Sequence, residues 1–218
     1  MRKGIFIGVM VVLLLMGSFY QMAKAAELEK AEKPEWEIGF KWSYEITHSA
    51  YPDKVFEIKK EVIRKEEFKK VSCYVVSLDR GREHYSEHYI TEDLNEKVSF
   101  RTEEGSRYIT REFIPEQKIF DWPLEVGKKW KAAYEVRWHT DEGYMEDKFD
   151  GEFKVTKIEK IKVLARKFET FKIVLKVRRG KKLVVFQEWW YSPEISLVVR
   201  EKIYWPDEHV EERQLLDL

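Results

Sequence analysis

The strongest constraint on the fold is an alternation of apolar and polar residues with a period of two. It is clear in residues 153–158 (FKVTKI) and 56–59 (FEIK), and this period is typical of a β-strand that buries one face. After Leu28 no long stretch combines a helical period with capping residues. Glycine-based turn signals separate the candidate strands, at Arg80-Gly81, Glu104-Gly105, Glu142-Gly143, Asp150-Gly151 and Arg179-Gly180. We predict a mainly all-β chain whose antiparallel meander forms a curved sheet or an open barrel.

Four segments of the first half recur in the same order in the second half. The pairs are residues 37–42 (EIGFKW) with 125–130 (EVGKKW), 44–46 with 134–136, 68–79 with 168–178, and 85–89 with 186–190. We therefore predict one β domain over 36–218, made of two similar halves at about 36–113 and 124–205 and joined near 115–122. The halves should share one core, because neither half-covered sheet can bury its apolar face alone.

The repeated segment Glu-(Ile/Val)-Gly-x-Lys-Trp predicts a sharp bend followed by a buried ring. Gly39 and Gly127 permit a positive φ. Trp42 and Trp130 then fall on the inner face, where each can bury about 150–250 Å². We interpret the motif as a corner with a core anchor. The alternative is that the two indoles stack on a ligand.

A second aromatic group, Trp189-Trp190-Tyr191, precedes Pro193, which should end its strand. Successive strand residues face opposite sides, so one of the two indoles should be exposed or buried under something on the outer face. The alternative is an aromatic lip on a ligand opening. The candidate ligand-lining residues are Trp42, Trp130, Trp189, Trp190 and Tyr191.

The N-terminus predicts export. Arg2 and Lys3 precede an apolar run over 4–19, and Ala23-Lys24-Ala25 has the small residues that signal peptidase requires. We predict a signal helix over 1–25 that is cleaved after Ala25, a charged tether over 26–35, and a periplasmic or secreted protein. The alternative is an uncleaved leader that anchors the chain, since 4–22 approaches the ~20 residues of a membrane span.

Composition excludes several classes of function. Without the leader the chain has 37 basic and 40 acidic side chains, a balance that does not favour nucleic-acid binding. The single cysteine, Cys73, excludes an intrachain disulfide framework and a multi-cysteine metal site. It lies in a strand-like apolar run, which predicts a buried structural thiol. The abundance of Lys and Glu with few amides is typical of a thermophilic source.

No motif with recognisable chemistry is present: the sequence lacks a Gly-x-Ser-x-Gly elbow, a phosphate-binding glycine loop and a His-Glu-x-x-His helix. His84 and His88 would share a face on a helix. On the strand predicted here they stand about 13 Å apart, too far to bind one metal ion. We therefore predict no catalytic residues, no metal and no cofactor.

Three motifs point to a known group of proteins: residues 123–130 (PLEVGKKW), 168–173 (FETFKI) and 190–195 (WYSPEI). They resemble a secreted bacterial family of unknown function with PLxVGxxW, FxxFKI and WYSPE(V/I) motifs. That family is similar to the YmcC-like proteins and the outer-membrane lipoprotein carriers, which have curved β-sheets. The resemblance covers about 120–205 and implies no catalytic residues. Two positions next to these motifs depart from the family pattern. The family has glycine two residues before the first Phe of FxxFKI, where this chain has Arg166, and directly after WYSPE(V/I), where it has Ser196.

These observations predict a non-enzymatic extracytoplasmic protein whose concave sheet binds an apolar ligand, either a lipid or a lipidated partner. The stock of 29 aromatic residues in 193 supports this prediction. The first alternative is an envelope interaction module that adds a strand to a partner at an exposed sheet edge. A lesser alternative is a hydrolase, which would need titratable groups that converge in a cavity. Membrane contact is expected only through an uncleaved leader.

Overall fold

The computed structural model describes residues 29–81, 85–103, 106–140 and 143–218. The strands are β1 (Lys30–Ala31), β2 (Lys41–His48), β3 (Val55–Phe68), β4 (Val71–Asp79), β5 (Tyr85–Thr91), β6 (Glu96–Glu103), β7 (Ser106–Gln117), β8 (Leu124–Glu125), β9 (Lys129–Thr140), β10 (Gly143–Lys162), β11 (Lys167–Arg179), β12 (Lys182–Ser192), β13 (Leu197–Tyr204) and β14 (Val210–Asp217). The all-β antiparallel class is confirmed. The predicted signal helix lies outside the described residues, and within them no helix has the length and apolarity to cross a bilayer.

Twelve strands close into one barrel, and β1 pairs with β8 in a separate two-stranded sheet. Closure depends on two pairings. β7 pairs with β9, so the halves meet, and β14 pairs with β2, so the last strand returns to the first. The sequence predicted a curved sheet or an open barrel, and the observed barrel is closed. Strands β2–β7 and β9–β14 supply six strands each, while the exact domain and half boundaries stay predictions.

The antiparallel order places the connections at alternate ends of the barrel. The open end, as we name it, carries six hairpins: β2–β3, β4–β5, β6–β7, β9–β10, β11–β12 and β13–β14. The closed end carries the other turns, the long connection over 118–128 and the segment that precedes β2. The two ends differ in structure, and this difference positions the site.

The repeated corner forms twice at the closed end. Gly39 and Gly127 have φ values of 92° and 91°, a region that favours glycine. The Gly39 N–H donates to the Val62 carbonyl at 2.7 Å, and the Gly127 N–H donates to Val155 at 2.9 Å. Each corner leads into a barrel strand whose indole, Trp42 or Trp130, is buried.

A second apolar cluster lies on the opposite face of β4–β6 from the barrel interior. Its buried members are Cys73, Val75, Tyr89 and Val98, with Phe68 and Phe100 packed against them. Alternation predicted a solvated outer face, but the run 73–76 (CYVV) is buried on both faces, as continuous apolar strands are. Burial confirms the structural interpretation of Cys73 and raises the pKa of its thiol to about 11.

The described part of the predicted tether contacts the barrel. β1 pairs with β8, and Ala31 and Leu124 are fully buried against each other's strands. The pairing leads the chain to Trp36, whose N–H donates to the Tyr74 hydroxyl at 3.2 Å and whose Nε1 donates to the Ser196 carbonyl at 3.1 Å. This segment covers part of the closed end.

Candidate ligand-binding cavity

The barrel encloses a cavity of about 670 Å³, to which all twelve barrel strands contribute side chains. Its wall is mainly aromatic and aliphatic. An eight-stranded barrel is only just filled by its own side chains, and twelve strands leave more room. The volume lies within the range of about 300–1,000 Å³ that is usual for small-molecule sites.

An aromatic plug closes one end of the cavity. The Phe120 N–H donates to Asn95 Oδ1 at 2.9 Å, and Trp122 Nε1 donates to the Asp93 carbonyl at 2.9 Å. The two rings stack with centroids 5.0 Å apart. Phe120 also contacts the ring of Tyr191 in the barrel wall, at 5.5 Å between centroids. The sequence predicted only a joint between halves here, so this plug is a feature that the sequence analysis missed.

The open end has an apolar rim. Among the described residues, nine of the fourteen exposed large apolar side chains lie on the open-end hairpins or beside them. These are Tyr51, Val55, Phe56, Tyr85, Tyr108, Tyr144, Met145, Leu183 and Trp205. Trp205 also lines the cavity. The cavity therefore opens toward an apolar surface at one end and ends on aromatic rings at the other.

The structure brings together three of the five predicted ligand-lining residues, Trp42, Trp189 and Tyr191, in the cavity wall. Trp130 is not among the residues that line this cavity. Its ring stacks on Phe153 with centroids 4.9 Å apart and its Nε1 donates to the Lys118 carbonyl, which fits the anchor interpretation.

Trp190 likewise does not line this cavity, because alternation turns it to the outer face of β12. There Lys172 and Arg200 lie over its ring at 4.7 and 5.2 Å from the centroid, and its Nε1 donates to Glu159 at 2.8 Å. It is only 5% exposed. The predicted covering on the outer face therefore consists of charged side chains.

Two ion-pair groups face the cavity. In the first, Arg111 donates to Glu96 Oε1 at 2.8 Å, and His88 Nδ1 lies 3.1 Å from the same oxygen. Burial alone would raise the pKa of Glu96, but the charge of Arg111 and the hydrogen bond with His88 hold it well below its usual range. Burial lowers the pKa of His88, against the opposing effect of Glu96.

In the second group, Arg213 donates to Glu201 at 3.0 Å and also pairs with Glu211 at 2.6 Å. Trp189 Nε1 donates to Glu201 at 2.9 Å. Both cavity carboxylates, Glu96 and Glu201, are thus held by an arginine and at least one further donor.

Lys60 is different from these groups. Its side chain lines the cavity, and its ammonium lies 5.4 Å from the centre of the Tyr44 ring. Within the described residues no carboxylate lies within 4.0 Å of it. Burial, with the charge of Arg213, lowers the pKa of Lys60 to about 8, although Glu201 and Glu96 oppose this shift. Arg80 also lines the cavity, on the exposed side, and the described part of the chain offers it no ion pair either.

The sequence analysis missed these charged residues, although a signal was present. Lys60 follows Ile58 in the apolar phase of β3, and Arg213 precedes Leu215 in that phase of β14. A charge in the apolar phase indicates a polar group inside a sheet. In this chain many charged residues interrupt the alternation, so the signal does not single out these positions.

One further contact has chemical interest. Ser86 Oγ lies 3.2 Å from His88 Nε2, while His88 Nδ1 faces Glu96. The same order of contacts, from serine to histidine to carboxylate, occurs in hydrolases in which the histidine is the general base and the carboxylate orients it. Ser86 itself is not among the cavity-lining residues. His84 lies outside the described residues, and those that are described hold no cluster of three potential metal ligands.

Comparison with known proteins places the fold. No family model matches the chain, and no curated protein matches it. Among solved structures, a predicted exported protein with a YmcC-like fold from Bacteroides fragilis superposes with a TM-score of 0.51 at 13% identity, over 86% of this chain and 98% of that one. The chain has a YmcC-like fold.

Two further structures are similar at lower TM-scores. A predicted lipoprotein from Parabacteroides distasonis gives a TM-score of 0.45 at 12% identity, over 86% of this chain and 98% of that one. The hypothetical lipoprotein YmcC from Escherichia coli gives 0.40 at 11% identity, over 81% and 84%. The expected resemblance to YmcC-like proteins of unknown function is confirmed as a similarity of fold, and it assigns no chemistry.

Proposed function

We propose that the protein is a non-enzymatic binding protein that holds an apolar ligand, a lipid or the acyl chain of a lipidated partner, inside its barrel. The observation that carries this proposal is the cavity of about 670 Å³, walled by aromatic and aliphatic side chains and plugged at one end. A ligand that moves its apolar surface from water into such a site gains about 25 cal/mol per Å². Rigid rings such as Trp189 and Tyr191 supply this contact area without a large loss of side-chain entropy.

The rim supports the same proposal by giving the ligand a route. Exposed large apolar side chains that concentrate at one end of a protein are typical of a contact surface. Phe56, Leu183 and Trp205 lie on hairpins of the open end. We propose that an acyl chain enters the cavity past these side chains, since Trp205 is both exposed and part of the cavity wall.

The proposed location is outside the cytoplasm. The basic and apolar leader with Ala23-Lys24-Ala25 supports it, and the structural relatives are themselves predicted to be exported proteins or lipoproteins. Lipids and lipidated proteins are the apolar molecules available in that compartment, which is why we propose them as cargo.

The edge-pairing alternative has less support. Each of the twelve barrel strands pairs with a neighbour on both sides. Within the described ranges, open edges are therefore confined to the two-residue strands β1 and β8 and to the parts of long strands that extend past a neighbour, such as residues 63–68 of β3 and 157–162 of β10. A partner strand forms its main-chain hydrogen bonds along an open edge, and in this barrel only these short extensions offer one.

Hydrolysis is the second candidate function, favoured by the contacts that join Ser86, His88 and Glu96. The test is turnover of p-nitrophenyl esters of short and long acids by the wild type and by Ser86→Ala. As a binding protein, the wild type should match Ser86→Ala and the buffer blank. Turnover that Ser86→Ala and His88→Ala both abolish would instead identify a hydrolase.

The binding proposal is tested with the neutral fluorescent probe N-phenyl-1-naphthylamine. We expect one saturable site per chain, with quenching of tryptophan fluorescence. Val177→Trp fills the cavity and should abolish binding, because Val177 lines the wall and is 7% exposed. Lys176→Trp is the matched control, since Lys176 is the exposed neighbour on the outer face. Equal binding by both variants would contradict an interior site.

A further inference from the structure

The charges that face the cavity do not balance. Four cationic side chains line it, Lys60, Arg80, Arg111 and Arg213, against two carboxylates, Glu96 and Glu201. Arg111 is paired with Glu96, and Arg213 with Glu201. Lys60 and Arg80 therefore remain without a carboxylate in the described part of the wall.

Lys60 is the more informative of the two cations because of its position. It lies in the middle of β3, opposite Trp42 on β2 and Leu78 on β4, both of which are buried. Next to it on the interior face is Ile58, and the Tyr44 ring lies below its ammonium. Lys60 is half-buried, and a charge that is partly removed from water is costly unless it is paired. Nothing in the fold of β3 requires a lysine at this position.

A second unpaired donor lies nearby. The Nε1 of Trp42 is buried and has no hydrogen-bond acceptor among the described residues. Trp42 is the cross-strand partner of Lys60 and lines the same cavity. This N–H is covered by protein atoms and is not open to the cavity, so it does not reach a ligand. The cationic donors that remain unpaired in the wall are Lys60 and Arg80.

We infer that the ligand of the cavity is an amphiphile with an anionic head group, a carboxylate or a phosphate, which pairs with Lys60 and Arg80. The inference rests on the proposed function and specifies its ligand class. The head group lies on the side of the open end, where Arg80 is exposed, and accepts hydrogen bonds from Lys60. The apolar chain occupies the closed side, against Phe120, Tyr191 and Leu197.

The same arrangement of side chains disfavours a ligand with a cationic head group. A cationic head group would meet Lys60 and Arg80 and would find both carboxylates already bound to arginines. A neutral head group would leave the half-buried Lys60 ammonium without a counter-charge. An anionic head group is thus the one that pairs with Lys60 and Arg80.

The experiment compares three probes that share one chain: hexadecanoic acid, hexadecyl phosphate and hexadecan-1-ol. Each displaces N-phenyl-1-naphthylamine from the wild type, Lys60→Met and Lys59→Met at pH 7. Lys59 is the control because it is the adjacent, outward residue with a 69% exposed side chain. We expect the two anions to bind wild type and Lys59→Met at least tenfold more tightly than the alcohol, and Lys60→Met to lose this preference. Lys60→Arg should keep it.

The outcomes separate the inference from the proposal on which it rests. Equal affinity for acid and alcohol in the wild type, or an unchanged preference in Lys60→Met, would overturn the anionic ligand while leaving an apolar-ligand protein. Failure of every probe, including the neutral one, would overturn both. Phosphatidic acid vesicles form a further arm: transfer from them into the protein supports a phospholipid source, and binding of hexadecanoic acid alone supports a free fatty acid.

Discussion

Trp189 and Trp190 are adjacent residues of β12, both are at least 93% buried, and they face opposite sides of the barrel wall. Trp189 lines the cavity and donates to Glu201, whereas Trp190 lies beneath Lys172 and Arg200 and donates to Glu159. Two similar indoles thus have separate roles within one strand.

This pair gives the first prediction. Trp189→Ala and Trp190→Ala should each lower the free energy of unfolding by about 3–5 kcal/mol, as truncation of a buried ring does. Only Trp189→Ala should change the affinity for N-phenyl-1-naphthylamine. Urea unfolding and probe titration on the same preparations measure the two effects, and an equal change in affinity for both variants would contradict the assignment of faces.

The second prediction concerns Lys60 and the pH dependence of stability. Its pKa of about 8 in the folded protein lies below the ordinary value of 10.5, so the folded state disfavours the charged form. The wild type should therefore gain stability as pH rises from about 8 to 10.5, where the unfolded chain binds a proton that the folded one has lost. Lys60→Met should be more stable than the wild type at pH 7, by about 1–3 kcal/mol.

The difference between Lys60→Met and the wild type should shrink across that pH window, as measured by urea unfolding at several pH values. The charged and titratable groups around Lys60 are Tyr44, Arg80, Glu96, Glu201 and Arg213, and they are the same in both proteins. A constant difference between pH 7 and pH 10 would show that Lys60 titrates normally.

The third prediction concerns Cys73. Its thiol is fully buried beneath Phe68 and Tyr89, and burial raises its pKa to about 11. Because the thiolate is the reactive form, 5,5′-dithiobis(2-nitrobenzoic acid) should label the native protein at pH 8 no faster than the protein unfolds. Labelling in 6 M guanidinium chloride supplies the reference rate. Immediate labelling of the native protein would be incompatible with this outer cluster.

The fourth prediction compares the two corners. Gly39→Ala and Gly127→Ala place a Cβ on a residue with φ near 90°, and each should lower the free energy of unfolding by about 1–3 kcal/mol. No neighbouring atom would contact either added methyl group, so the cost is that of the backbone conformation alone. Chemical denaturation should therefore give similar values for both variants, and a loss at only one corner would argue against structural equivalence.

Much of the fold could be predicted from the sequence because its signals are local. Alternation predicts strands, the Gly-x-x-Trp corner predicts a bend with a positive φ, and adjacent indoles on a strand must face opposite sides. The motif comparison was also informative at Ser196, where the related motif has glycine. Its φ of 59° shows that the left-handed conformation is kept although a serine occupies the position.

Closure and the cavity could not be predicted, because they depend on contacts that are distant in sequence. Pairing of β14 with β2 brings together residues such as Gln214 and Glu45, and no local pattern encodes it. The plug requires Phe120 to meet Asn95 and Tyr191. The role of Lys60 depends on the same closure, because its chemistry follows from the cavity and not from its neighbours in sequence.

The central claim is that the barrel holds an apolar ligand, and native mass spectrometry of the untagged chain beginning at Ala26 tests it most directly. The protein should be purified gently from the envelope fraction, without detergent exchange. We predict that the wild-type protein carries a bound species with the mass of a lipid. After extraction this species should be detected as a negative ion. It should be absent from Val177→Trp. A wild-type spectrum that shows only the bare polypeptide, both before and after incubation with envelope lipids, would contradict the account.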